Sequence, residues 1–83
     1  MYQIVLGKKA EKDLNKITRK HKPQIIAALF DLRENAYLGK SLKGKFSGYY
    51  SLRVWPYRII YKVNRKKLII FIIRIGHRQG IYR

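Results

Sequence analysis

The chain has no cysteine, 4 acidic residues among 83, and no long apolar segment. The absence of cysteine excludes disulfide bonds, thiol nucleophiles and cysteine-ligated zinc. No apolar run exceeds the length of Leu68 to Ile73, which is far shorter than the ~20 residues that span a bilayer. The N-terminus lacks a basic segment followed by an apolar one, as a signal peptide would have. We therefore expect a single cytoplasmic domain over residues 1–83 that makes no membrane contact.

The acidic residues are distributed unevenly along the chain. All four acids lie in the first 34 residues, whereas 20 Lys and Arg are spread throughout, giving a formal net charge of +16. From Tyr37 to Arg83 there are twelve Lys and Arg and no Asp or Glu. Such a surface favours a polyanionic partner. Nucleic acid fits better than lipid, because the cations fall in strand-like segments and not along one amphipathic helix.

Hydrophobic periodicity predicts the element order β-α-α-β-β-β. It indicates a strand at Tyr2–Leu6, helices over Lys8–Arg19 and from Pro23 to about Ala36–Gly39, and strands at Tyr49–Val54, Tyr57–Val63 and Leu68–Ile75, the last ended by Gly76. The lysine- and glycine-containing segment Lys40–Gly48 is predicted to be a mobile basic loop. The expected fold is α+β, with a helical hairpin packed on a largely antiparallel four-stranded sheet.

Two arginines are predicted to face each other across the second and third strands. If Trp55-Pro56 is a two-residue connection, Val54 pairs with Tyr57 and Arg53 lies directly opposite Arg58. Like charges in this arrangement repel each other unless an anion lies between them. Two guanidinium groups can hold one phosphate through bidentate hydrogen bonds. The pair is therefore a candidate phosphate site.

More candidate binding residues lie at the end of the last strand and beyond it. They are Arg74, His77, Arg78, Tyr82 and Arg83. His77 is the only one with an ordinary pKa near neutrality, while His21 falls in the polar turn between the helices and is expected at the surface. Because no acid follows Glu34, we find neither a metal-ligand cluster nor an acid that could orient a histidine. The chemistry that fits is cleavage of RNA by its own 2′-OH, without metal or cofactor and with arginines stabilising the charge.

At this point the chain resembles the RelE/ParE superfamily of toxins from toxin–antitoxin systems. The likeness covers nearly the whole chain and is strongest in residues 50–61 (YSLRVWPYRIIY) and from Ile75 to Tyr82. In the RelE branch it implies an endoribonuclease that cuts mRNA in the ribosomal A site. The implied catalytic residues are Arg53, Arg58 and Arg78 at the phosphate, His77 as a general acid, and Tyr82 as a base-stacking or proton-transfer group.

The resemblance leaves the general base open. Ser51 stands where several relatives have Lys or Glu, so Lys43, Lys45, Tyr82 and Arg53 are the alternatives. Contacts to RNA or the ribosome are expected from Lys43, Lys45, Lys62, Arg74 and Arg83. The implied partners are a cognate antitoxin, in a heteromeric complex, together with the ribosome and mRNA.

Two other functions remain compatible with these residues. A ParE-like member would share the fold but inhibit DNA gyrase by binding it, without nuclease activity. A noncatalytic RNA-binding module would explain the charge but not the positions of the arginines.

Overall fold

The computed structural model describes residues 1–77, and within them the expected α+β architecture is confirmed: two helices pack on one face of a sheet. The elements in chain order are β1 (Gln3–Leu6), α1 (Lys8–Lys16), α2 (Lys22–Glu34), β2 (Lys40–Ser41), a 3₁₀ helix (Gly44–Phe46), β3 (Tyr50–Val54), β4 (Tyr57–Asn64) and β5 (Ile69–His77). The strand order across the sheet is β1-β5-β4-β3-β2. β1 pairs with β5 in parallel, and the other neighbours are antiparallel.

The sheet has five strands where four were expected, because the segment predicted as a mobile loop is partly regular. Lys40 and Ser41 pair with Ser51 and Tyr50 at the edge of β3, and Gly44–Phe46 forms a 3₁₀ turn. The Tyr61 hydroxyl guides the chain to this edge. It donates to the Ala36 carbonyl and accepts from the Gly39 N–H, both at 2.9 Å. A Cβ at Gly39 would lie 2.7 Å from the Tyr61 hydroxyl oxygen, so this approach requires glycine.

Both helices are shorter than predicted. α1 ends at Lys16 because Ile17 is already extended (φ −71°, ψ 135°), which turns its side chain into the core. α2 begins at Lys22, with Pro23 in the first turn, where its missing N–H costs nothing. Its end is tied to β1 by a hydrogen bond of 2.9 Å from the Tyr2 N–H to the Arg33 carbonyl.

The core lies between the helices and one face of the sheet. Its buried members are Ala10, Ile17, Ile25, Ala28, Leu29, Leu32 and Ala36 from the helical layer, and Ile59, Tyr61, Ile70, Ile72 and Ile75 from the sheet. Within residues 1–77, no helix is long and apolar enough to cross a membrane.

A β-bulge in β5 decides which side chains enter this core. Ile60 pairs with Arg74, but Tyr61 pairs with Ile72, so Ile73 is an extra residue. Before the bulge Ile70 and Ile72 are buried, and after it Ile75 is, so Arg74 points to the other face. The prediction that Gly76 ends the strand is wrong. Its backbone still pairs with Arg58, because glycine, like every residue except proline, has both backbone hydrogen-bonding groups, and the ladder continues to His77 opposite Tyr57.

Candidate nucleic-acid interface

The face of the sheet turned away from α1 and α2, here called the outer face, carries the candidate site. Its side chains form rows across the strands, and successive rows are two residues apart along a strand, which is about 6.7 Å. Three rows concern the site: Arg53, Arg58 and Gly76; then Lys40, Ser51, Ile60 and Arg74; then Lys62 and Phe71, with Tyr49 beside Lys62. Each of these three rows contains at least one cation.

The predicted arginine pair is present. Val54 pairs with Tyr57, and Arg53 lies directly opposite Arg58, as the two-residue connection requires. Arg53 is exposed and Arg58 half-buried, and neither forms an ion pair with a carboxylate of residues 1–77. The neighbour of Arg58 on β5 is Gly76, which adds no side chain to that position. Two guanidinium groups without a neutralising carboxylate thus lie side by side, and an anion bound between them would reduce their repulsion.

Ser51 lies next to this pair, in the middle row. Its side chain is buried, and its hydroxyl has no hydrogen-bond partner among residues 1–77. An unpaired buried hydroxyl costs roughly 1–3 kcal/mol. Ser51 is therefore a small, buried polar residue next to the pair, and its hydroxyl is not accessible from the surface.

Arg74 already has a partner, which was not foreseen from the sequence. Its Nε and Nη2 donate to the Asp13 carboxylate at 2.8 and 3.2 Å, and the Ile75 N–H donates to the same carboxylate at 2.9 Å. The hydrogen bond that Arg74 donates to the Asp13 carboxylate raises the pKa of Arg74 above its ordinary value. Asp13 thereby ties α1 to the part of β5 beyond β1. The predicted role of Arg74 in RNA binding stays a prediction.

The two histidines lie on the helix side of the sheet, away from the outer face. The Tyr57 ring lies between them, with its centroid 6.0 Å from that of His77 and 5.5 Å from that of His21. His21, expected at the surface, is only partly exposed. The turn between the helices folds over Tyr57, so His21 is half-buried and its Nδ1 has no partner within the described part of the chain.

The structure therefore does not bring His77 onto the face that carries Arg53 and Arg58, although His77 ends the strand beside them. Arg78, Tyr82 and Arg83 lie outside the described residues, and their roles stay predictions. Within residues 1–77 no group of three or more His, Asp or Glu is placed to hold a metal ion.

The basic residues next to β3 lie against aromatic rings. Lys62 Nζ is 4.5 Å from the centroid of the Tyr49 ring, and Lys45 Nζ is 5.5 Å from that of Phe46. Lys43 is exposed at the start of the 3₁₀ turn. The lysines were expected from the sequence, whereas the aromatic rings beside them were not. The sequence contains a signal for the Tyr49 ring, because Tyr49, Ser51 and Arg53 are two residues apart and so lie on one face of a strand.

Fold and site together define a small, strongly basic α+β domain that presents paired arginines on an exposed sheet face. Comparison with known proteins identifies the family. The model of the ParE toxins of type II toxin–antitoxin systems matches residues 4–82. The chain belongs to this family, within the RelE/ParE superfamily, and is a RelE-like toxin of a type II toxin–antitoxin system.

Individual relatives agree with this assignment. Toxin RelG of Mycobacterium tuberculosis is 31% identical over 88 aligned positions, which cover 99% of this chain and 97% of that protein. The isolated Escherichia coli RelE toxin matches with a TM-score of 0.80 at 25% identity, covering 99% of this chain and 92% of that one. A chain of the RelBE2 toxin–antitoxin complex from M. tuberculosis matches with a TM-score of 0.72 at 29% identity, covering 93% and 98%.

Proposed function

We propose that this toxin is an endoribonuclease that acts on ribosome-bound mRNA in the A site and so inhibits translation. The observation that carries the proposal is the Arg53–Arg58 pair. The two guanidinium groups lie opposite each other on the outer face, with no carboxylate paired to either among residues 1–77. The likeness to the RelE toxin supports this branch of the superfamily.

In the proposed reaction the RNA supplies its own nucleophile. The 2′-oxygen attacks the adjacent phosphorus and loses its proton, while the bond from phosphorus to the 5′-oxygen breaks and that oxygen gains a proton. The products are a 2′,3′-cyclic phosphate and a 5′-OH. Negative charge builds on the phosphoryl oxygens, and Arg53 and Arg58 stabilise it there, with Arg78 as a third cation.

The proton transfers are assigned from the resemblance. The resemblance gives His77 the protonation of the 5′-oxygen, a role that its position on the helix side of the sheet does not favour, and Tyr82 would stack on a base or transfer a proton. For the general base the candidates remain Lys43, Lys45, Tyr82 and Arg53. Ser51 has no partner among residues 1–77 that could take up its proton, and its hydroxyl is buried, so it does not replace the Lys or Glu of the relatives as a base.

The proposed partner in the resting state is an acidic or amphipathic antitoxin. A net charge of +16 attracts an acidic segment. A groove of about 520 Å³ lies between β1 and α2. The exposed side chains of Ile26 and Phe30 border it and offer apolar surface to the same partner. The relative from M. tuberculosis was crystallised as a toxin–antitoxin complex.

Inhibition of DNA gyrase is the second candidate, because the matching family model is named for the ParE toxins. Induction of the toxin followed by primer extension on translated mRNA separates the two. Cuts positioned by codon support the endoribonuclease. Double-strand breaks in DNA with intact mRNA support gyrase inhibition, and neither lesion supports a binding module. Induction of the Arg58→Ala variant is the control that connects any cuts to the outer face.

A further inference from the structure

A second hollow lies on the outer face, at the end away from the arginine pair. It has a volume of about 730 Å³. Ile69, Phe71 and Ile73 form its apolar floor, and its rim includes Lys62 and the three cations of the β4–β5 turn, Arg65, Lys66 and Lys67. Phe71 is 46% exposed, which is high for a phenylalanine in a strand whose neighbours Ile70 and Ile72 are fully buried.

The hollow is in line with the arginine pair. Phe71 pairs with Lys62, two rows away from the row of Arg53 and Arg58. At about 6.7 Å a row, the separation is about 13 Å, which two or three nucleotides of an unstacked RNA strand span. The row between them contains the small residue Ser51. A strand whose phosphate lies between the arginines can therefore continue across Ser51 into the hollow.

We propose that this hollow is a base-stacking subsite for single-stranded RNA, in which a nucleotide two or three positions from the scissile phosphate stacks on Phe71. Lys62, Arg65, Lys66 and Lys67 neutralise the backbone of this nucleotide and its neighbour. The 4.5 Å contact with the Tyr49 ring holds the Lys62 ammonium at the edge of the hollow. The inference rests on the proposed function for the position of the scissile phosphate.

Charge and shape favour RNA over an acidic peptide here. Proteins hold single-stranded nucleic acids with aromatic side chains that are surrounded by cations, since every base has a face that can stack on an aromatic ring. The distance from the hollow to the arginine pair fits the spacing of nucleotides in one RNA strand. An acidic peptide has no feature that requires this distance. The groove between β1 and α2 is the less charged surface for a protein segment, because its lining includes one charged side chain, Arg33, against four around the hollow.

The test measures binding apart from cleavage. Fluorescence anisotropy with 2′-O-methyl RNA, which cannot cleave itself, gives the affinity for oligomers of about two to eight nucleotides. For the wild type we expect affinity to rise sharply between about two and four nucleotides. Phe71→Leu keeps the apolar bulk but removes the ring, and should bind the tetramer about tenfold more weakly while binding the dimer equally well. Phe71→Tyr should restore the wild-type affinity.

Phe30→Leu is the matched control, because it is the same change at an exposed ring on α2, and it should leave RNA binding unaltered. Equal affinity of Phe71→Leu and wild type for every length would overturn the subsite. So would a Phe71→Leu protein that binds RNA normally but loses its antitoxin, since the hollow would then be a protein-docking surface. Failure of the wild type to cleave ribosome-bound mRNA would instead overturn the proposed function, whatever the anisotropy shows.

Discussion

The Asp13 carboxylate is predicted to be the most consequential acid of this chain. It accepts two hydrogen bonds from Arg74 and one from the Ile75 N–H, and its side chain is 15% exposed. Asp13→Ala leaves the backbone N–H of Ile75, a residue 1% exposed, without its acceptor. That loss costs about 1–3 kcal/mol, and the lost bonds to the partly exposed arginine add about 1 kcal/mol.

We therefore expect Asp13→Ala to lower the free energy of unfolding by about 2–4 kcal/mol, as measured by urea denaturation. For a domain of this size the melting temperature falls by roughly 8–32 °C. Asp13→Asn keeps an oxygen for the Ile75 N–H and should lose only about 1 kcal/mol. Asp31→Ala removes an exposed acid with the same change of net charge, and should stay within about 0.5 kcal/mol of wild type. If Asp13→Ala were no less stable than Asp31→Ala, the hydrogen bonds that Asp13 accepts from β5 would not stabilise the fold.

Other perturbations test the remaining parts of the structure. Tyr61→Phe should cost about 1–3 kcal/mol in urea denaturation, because the Ala36 carbonyl and the Gly39 N–H lose their partner. Burial raises the pKa of Tyr61, so the stabilisation by its neutral hydroxyl is complete below pH ~10 and is lost as the pH rises further. The free energy of unfolding of Tyr61→Phe should therefore fall less than that of the wild type as the pH is raised above ~10. Replacing Lys43 and Lys45 by Ala should weaken ribosome binding and reduce its salt slope by about two, with the saturating cleavage rate unchanged. A ~100-fold fall of that rate would instead identify a loop lysine as the general base. Tyr82→Phe should retain activity in single-turnover assays if the ring only stacks, and lose it if the hydroxyl transfers a proton.

The arginine pair was predictable because its geometry is local. A two-residue connection fixes the register of a hairpin, and the period of 2 then places Arg53 and Arg58 on the same face. The paired residues are only five positions apart, so no knowledge of the rest of the fold is needed.

The surroundings of the pair depend on contacts between distant segments. Asp13 meets Arg74 across 61 residues, and only because α1 runs beside the part of β5 that β1 leaves unpaired. The bulge at Ile73 reverses the alternation of β5, which moves Arg74 to the outer face and His77 to the helix side. β2 is two residues long and is held at the edge of β3 through Tyr61 and Gly39. None of these has a periodic signal in the sequence.

The central claim is that the outer-face arginines stabilise the charge that develops on a scissile phosphate, and the single-turnover rate on ribosome-bound mRNA tests it most directly. Ribosomes are held at saturation, so binding does not limit the rate. Arg58→Ala should lower the rate about 10²–10³-fold, as expected for one lost charge-stabilising donor, with ribosome affinity within about twofold of wild type. Arg19→Ala, which removes the same charge from the exposed turn between the helices, should cleave at the wild-type rate. Cleavage by Arg58→Ala at the rate of Arg19→Ala would contradict the account.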